Sequence, residues 1–179
     1  MFLTRNPQFG LNNFIFVVNF IQIIMLQRIQ SVYLLLASLV IFALFLFPLV
    51  HNVYVAGVPS TIKVTGVYQD VSGAQSNTQS FILLIAATVI VAVLPLVLIF
   101  WYKKRKRQMM LCYAYILVVF GYSFWMAQTV KSLTGGADLT TNNFGIGILL
   151  SPIAIVLILA AAKGIQRDEK LVKSADRLR

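Results

Sequence analysis

The richest set of groups able to do chemistry lies in the third apolar stretch of the chain. It holds Cys112, Tyr113, Tyr115, Tyr122, Ser123, Trp125 and Gln128. Tyr115 and Tyr122 are seven residues apart and Cys112 precedes Tyr115 by three, so on a helix the three share a face. Hydroxyls on one face can line a pocket for a small molecule or a quinone, which makes Tyr115 and Tyr122 candidate cavity residues. They can also cross-brace neighbouring helices, with Trp125 and Gln128 near an interface, and the pattern favours that second use.

Other reactive groups are scarce. Cys112 is the single cysteine and His51 the single histidine. One cysteine makes neither an internal disulfide nor a CxxC redox pair. One histidine supplies neither bis-histidine haem ligation within one chain nor a His-rich zinc site. Asp70 and Asp138 lie in separate polar stretches and are expected to face water or cap local backbone rather than share a metal. Without a nucleophile–base pair, paired cysteines or a metal cluster, neither a cofactor nor an enzymatic activity is expected.

These residues must be positioned by apolar elements. Of 179 residues, 59% are hydrophobic and 11% charged, whereas soluble domains are nearer half apolar and a quarter charged. The excess is gathered into four blocks, about 31–50, 81–102, 109–130 and 146–163. Each is long enough to cross a hydrocarbon layer of ~30 Å. This distribution excludes an ordinary soluble domain and a disordered chain. It predicts an all-α membrane protein, an antiparallel four-helix transmembrane bundle. The connecting segments are outer loops 51–80 and 131–145, an inner loop 103–108 and a tail 164–179.

The net charge of +10 suggests nucleic acid until it is placed on the spans. With four spans, both termini and the 103–108 loop share one side. That side carries Arg5, Arg28, Lys103, Lys104, Arg105, Lys106, Arg107, Lys163, Arg167, Lys170, Lys173, Arg177 and Arg179, with the acids Asp168, Glu169 and Asp176. The other side has Lys63 and Lys131, neutralised by Asp70 and Asp138. The positive-inside rule puts the basic side, with both termini, in the cytoplasm. Lys103 to Arg107 then form a topological anchor attracted to anionic lipid. Trp101 and Tyr102 fit an aromatic belt, and nucleic acid is a disfavoured partner.

Residues 1–24 stand apart. The apolar run from Phe14 to Ile24 is too short to cross comfortably, is interrupted by Asn19 and Gln22, and lacks a signal-peptide cleavage pattern. It reads as an interfacial segment or as the result of a mis-called start ahead of Met25, and the second is favoured. In the 51–80 loop, β-branched and aromatic residues alternate with small or polar ones around Gly57 and Pro59. A β-hairpin of Asn52–Ala56 with Thr61–Tyr68 is plausible there, with 73–80 as a flexible return. The 131–145 loop is turn-rich.

No ionisable residue lies between the ends of the four spans, which disfavours proton pumps and ion-coupled transporters. Pro95 lacks an N–H, so it frees a carbonyl near Val91 and kinks the second span. Gly147 with Ser151, and Ala160 with Gly164, are pairs of small residues at four-residue spacing that permit close helix approach within the chain or between subunits. In the tail, Leu171, Ala175 and Leu178 form an apolar stripe and Glu169 and Lys173 are ordered for an i, i+4 pair. The tail is therefore expected to be a short amphipathic helix along the cytoplasmic interface. It would serve as an anchor or as a docking site for a partner.

MLQRIQSVYLLLA, from Met25 to Ala37, and RDEKLVKSADRLR, from Arg167 to Arg179, resemble the two ends of a Bacteroidota family of four-span membrane proteins catalogued as domain of unknown function 4293. The resemblance covers 25–179 and is the reason Met25 is favoured as the start. It implies a four-span inner-membrane protein and brings no activity, substrate or catalytic residue. In it, Gln27, Arg28 and Gln30 open the first span while Asp168, Glu169, Asp176 and Arg177 follow the last. The two groups are expected to meet, with Arg28 against Asp168 or Glu169 tying the first and fourth helices.

The expectation is a non-enzymatic structural component or accessory subunit. Its basic face of Arg28, Lys103–Arg107, Asp168, Glu169 and Arg177 would meet anionic lipid or a membrane or cytoplasmic protein partner. The alternatives are a small-molecule transporter or channel past Tyr115 and Tyr122, and, last, an enzyme acting on lipid or quinone.

Overall fold

The computed structural model describes residues 29–55, 57–71, 74–101, 105–135 and 140–177, with the backbone alone described for 70–71, 74–75, 172 and 175–177. Residues 1–24, Arg28, Lys103, Lys104 and Asp138 lie outside the described residues.

Helix α1, Ile29–Phe45, tightens into a 3-10 turn over its last three residues. Its buried residues Leu34, Ala37, Ser38, Ile41 and Leu44 recur at helical spacing. Val32, Leu35, Leu36 and Leu39 point the other way and are exposed. The helix ends before Pro48, short of the expected boundary at 50. The chain then turns into strand β1, Val50–Val55.

Strands β2, Val58–Lys63, β3, Gly66–Val71, and β4, Ala74–Ser80, complete an antiparallel sheet in the order β1-β2-β3-β4. Gly57, at φ +80°, occupies the β1–β2 turn in a backbone region that glycine enters without steric cost. Val50, Val53, Ile62 and Val64 are buried in the same apolar core as Leu44, Val130 and Leu150. One face of the sheet therefore closes an end of the helical layer.

The sheet corrects the all-α expectation. The 51–80 segment is neither a small loop nor a single hairpin. The stretch expected to be a flexible return is strand β4, paired to β3 through Tyr68↔Asn77, Gln69↔Ser76 and Asp70↔Gln75. Its polar side chains carry no apolar alternation, and the strand is held instead by the backbone ladder and by a bond from Thr78 Oγ1 to Gln69 Oε1, 3.1 Å.

Three more helices follow: α2, Ile82–Phe100, α3, Arg105–Leu133, and α4, Gly147–Arg177. All three are long and apolar enough to cross a membrane, whereas α1 is shorter, so the expected four-helix transmembrane bundle is corrected to three helices of spanning length among the described residues. Helix α3 packs on both α2 and α4. The outward faces are apolar, with Leu117 74% and Phe120 68% exposed. Burying such a side chain is worth about 1.5–3 kcal/mol relative to water, so these faces require an apolar surrounding.

A second correction concerns the tail. It is not a separate short amphipathic helix but the continuation of α4, unbroken to Arg177. Gly164 lies inside the helix, where its bare Cα faces Gln30 of α1. A Cβ there would lie 2.9 Å from Gln30 Cγ.

Candidate functional site

The polar side chains of the helices form a ladder of braces. Pro95 sits inside α2. Its missing N–H leaves the Val91 carbonyl without its helical donor. The Tyr115 hydroxyl of α3 donates to that oxygen at 2.8 Å. One helical turn nearer the sheet, Thr88 Oγ1 donates to the Leu84 carbonyl, 2.6 Å, and lies 2.7 Å from the Tyr122 hydroxyl. A threonine has one hydroxyl proton, so Tyr122 is the donor in that second bond.

Helix α1 joins through Ser38, whose Oγ donates to the Ala92 carbonyl at 2.6 Å. At the far end of α2, Gln108 Nε2 donates to the Leu98 carbonyl at 2.9 Å. That oxygen is among the last of the helix, which lack α-helical donors, and it also accepts the Trp101 N–H at 3.2 Å.

Tyr115 and Tyr122 are therefore co-facial with Cys112, as their spacing requires, and all three are buried. The two hydroxyls meet helix backbone and Thr88, and the three side chains sit in the apolar core. Each phenol donates its one proton to α2, which is the bracing geometry. The rest of the polar set in α3 divides. Ser123 bonds back to the Val119 carbonyl, 2.8 Å, while Tyr113 and Trp125 are exposed.

The end remote from the sheet holds the other candidates. Gln30 Nε2 of α1 donates to Asp168 Oδ2 of α4. Both residues are buried, Asp168 at 5% exposure. Asp168 Oδ1 is buried with no hydrogen-bond partner among the described residues. The polar groups that open α1 and close α4 thus meet through Gln30 and Asp168. Arg28, expected to make this contact, lies outside the described residues.

Glu169 pairs with Lys173 at 2.7 Å, an i, i+4 contact at the helix surface. Arg105 is half-buried, while Lys106 and Arg107 are exposed. All three belong to the first turn of α3 rather than to a loop, and that turn holds no acid. The backbone of Arg177 closes α4, and its side chain is outside the description.

The small residues of α4 serve packing within the chain. Gly147 meets the Pro48 carbonyl, where a Cβ would come within 2.7 Å, and donates its N–H to that oxygen at 3.0 Å. Ser151, Ala161 and Ala162 are buried. Gly164 leaves the space that Gln30 crosses to reach Asp168, one turn further along.

Sequence reasoning had not singled out Ser38, Thr88 or Gln108. The signal was present for the first two, each an isolated polar residue inside an apolar run. Gln108 read as part of a charged loop, and only the early start of α3 turns it inward.

No curated protein and no solved structure matches the chain. The family model described as Domain of unknown function (DUF4293) matches residues 26–178, and the chain belongs to that family.

Proposed function

We propose that the protein is a non-enzymatic structural component or accessory subunit of a bacterial inner-membrane complex. Both termini and the Arg105–Arg107 end face the cytoplasm, and the sheet faces outward. The single observation that carries the proposal is the use of five of the interior polar groups. Ser38, Thr88, Gln108, Tyr115 and Tyr122 each spend their donor on a neighbouring helix or on a carbonyl of their own. A transport path or a quinone pocket needs such groups turned toward a ligand. Here they fix the helices against one another, as expected of a part that holds a shape.

The orientation is supported by charge. The basic residues cluster at the α3 start and the α4 end, and the sheet end is nearly neutral. Lys106 and Arg107 are exposed where α2 ends in the exposed Phe100 and Trp101. That setting suits anionic lipid headgroups, at about 1 kcal/mol per basic residue near the surface.

Extraction from native membranes in mild detergent tests the proposal. A protein partner at fixed stoichiometry is the expected result. A lone chain carrying a bound quinone or other small molecule would overturn it.

A further inference from the structure

Helix α4 is longer than the layer it crosses. Its 31 residues extend about 46 Å at 1.5 Å per residue. The hydrocarbon layer is about 30 Å, and at the average tilt of ~20° crossing it takes up only ~32 Å of the helix. The surplus lies at the C-terminal end, because Gly147 is pinned to the Pro48 carbonyl at the other. The brace between Gln30 and Asp168 joins α4 to α1 near the start of this surplus. The turns beyond it continue the axis of the span and so lead away from the lipid surface rather than along it.

At this end of α4, Arg167, just before the brace, and Lys170, Leu171 and Ser174 beyond it recur at i, i+3, i+4 and i+7, one face of the helix, and all four are exposed. Leu171 is 53% exposed. Glu169 is turned aside to Lys173, so this face carries two cations, one apolar side chain and no acid.

We infer that the face of Arg167, Lys170, Leu171 and Ser174 docks a cytoplasmic protein presenting an apolar pocket bordered by carboxylates. The inference rests on the accessory-subunit proposal and says where and by what chemistry the partner is held. Charge selects the occupant. A second copy would bring the same cations against this face, and like charges in contact are unfavourable. Nucleic acid would satisfy Arg167 and Lys170 while leaving Leu171 in water. An apolar pocket with an acidic border satisfies all three, in the manner of an amphipathic helix in a groove.

Photo-crosslinking of the full chain in its native membrane tests the inference. p-Benzoylphenylalanine introduced at Leu171 is expected to give one protein adduct, and at Gln166, exposed on another face, none. The purified adduct protein is then bound to the full chain in lipid nanodiscs. Arg167→Glu with Lys170→Glu is expected to weaken binding by about tenfold or more, with recovery when the bordering carboxylates of the adduct protein are changed to lysine. Both substitutions are at exposed positions, so the thermal unfolding of the nanodisc-held chain should not move. Adducts to phospholipid, to nucleic acid or to a second copy, or no adduct, would overturn the inference. If a stoichiometric partner co-purifies but does not crosslink through Leu171, this inference fails and the accessory proposal stands. If no partner co-purifies, the proposal itself fails.

Discussion

Tyr115 fills the gap that Pro95 opens: its hydroxyl donates, at 2.8 Å, to the Val91 carbonyl that has no N–H four residues further along α2. The two residues form one device on two helices, so their effects on stability are coupled. Tyr115→Phe is expected to destabilise the protein by about 0.6–1.7 kcal/mol, the range for polar contacts between membrane helices. In a Pro95→Ala background residue 95 supplies its own N–H, and the same change should cost measurably less. Unfolding of the four variants of this cycle in detergent gives the coupling; strictly additive effects would contradict the device.

Half of this device was readable in the sequence. A proline inside an apolar run announces an orphan carbonyl near Val91, and the spacing of Tyr115 and Tyr122 announces a shared face. Joining them needs the antiparallel register of α2 and α3, which is tertiary information. Three of the four expected spans were legible as helices long and apolar enough to cross a membrane, because unbroken apolar runs mark them, while the first run yields only the shorter α1. Strand β4 was not legible, because Gln75, Ser76, Asn77 and Gln79 have low strand preference and owe their conformation to the ladder with β3. Nor was the length of α4, where Gly164 imitates a helix end and in fact accommodates Gln30.

That accommodation gives a second prediction. Gly164→Val puts branched carbon where Gln30 Cγ stands 2.9 Å from a Cβ position. It should cost about 1–3 kcal/mol through overpacking and separate Gln30 from Asp168. Gly121 of α3 is the control: it is exposed and a Cβ there meets nothing within 4 Å. Gly121→Ala should be neutral or stabilise by up to about 1 kcal/mol through helix propensity. Thermal unfolding in one detergent ranks the two, and equal destabilisation would contradict the tight seam at Gly164.

The brace at the basic end separates hydrogen bonding from charge. Asp168→Asn keeps an oxygen that can accept from Gln30, and should retain most of the stability. Asp168→Leu leaves the buried Gln30 amide without its partner and should cost about 1–3 kcal/mol. Denaturant unfolding of the two variants decides. If Asn is as damaging as Leu, the carboxylate charge matters more than the bond to Gln30.

The orientation of the chain carries the basic face, the lipid contact and the docking surface together, and one measurement tests it. Cys112 is fully buried, so a membrane-impermeant maleimide should read only introduced thiols. Ser76 on β4 and Ser174 near the end of α4 are both exposed. In intact spheroplasts Ser76→Cys should label at once and Ser174→Cys only after the membrane is permeabilised. Labelling of Ser174→Cys in intact spheroplasts, with Ser76→Cys protected, would contradict the orientation.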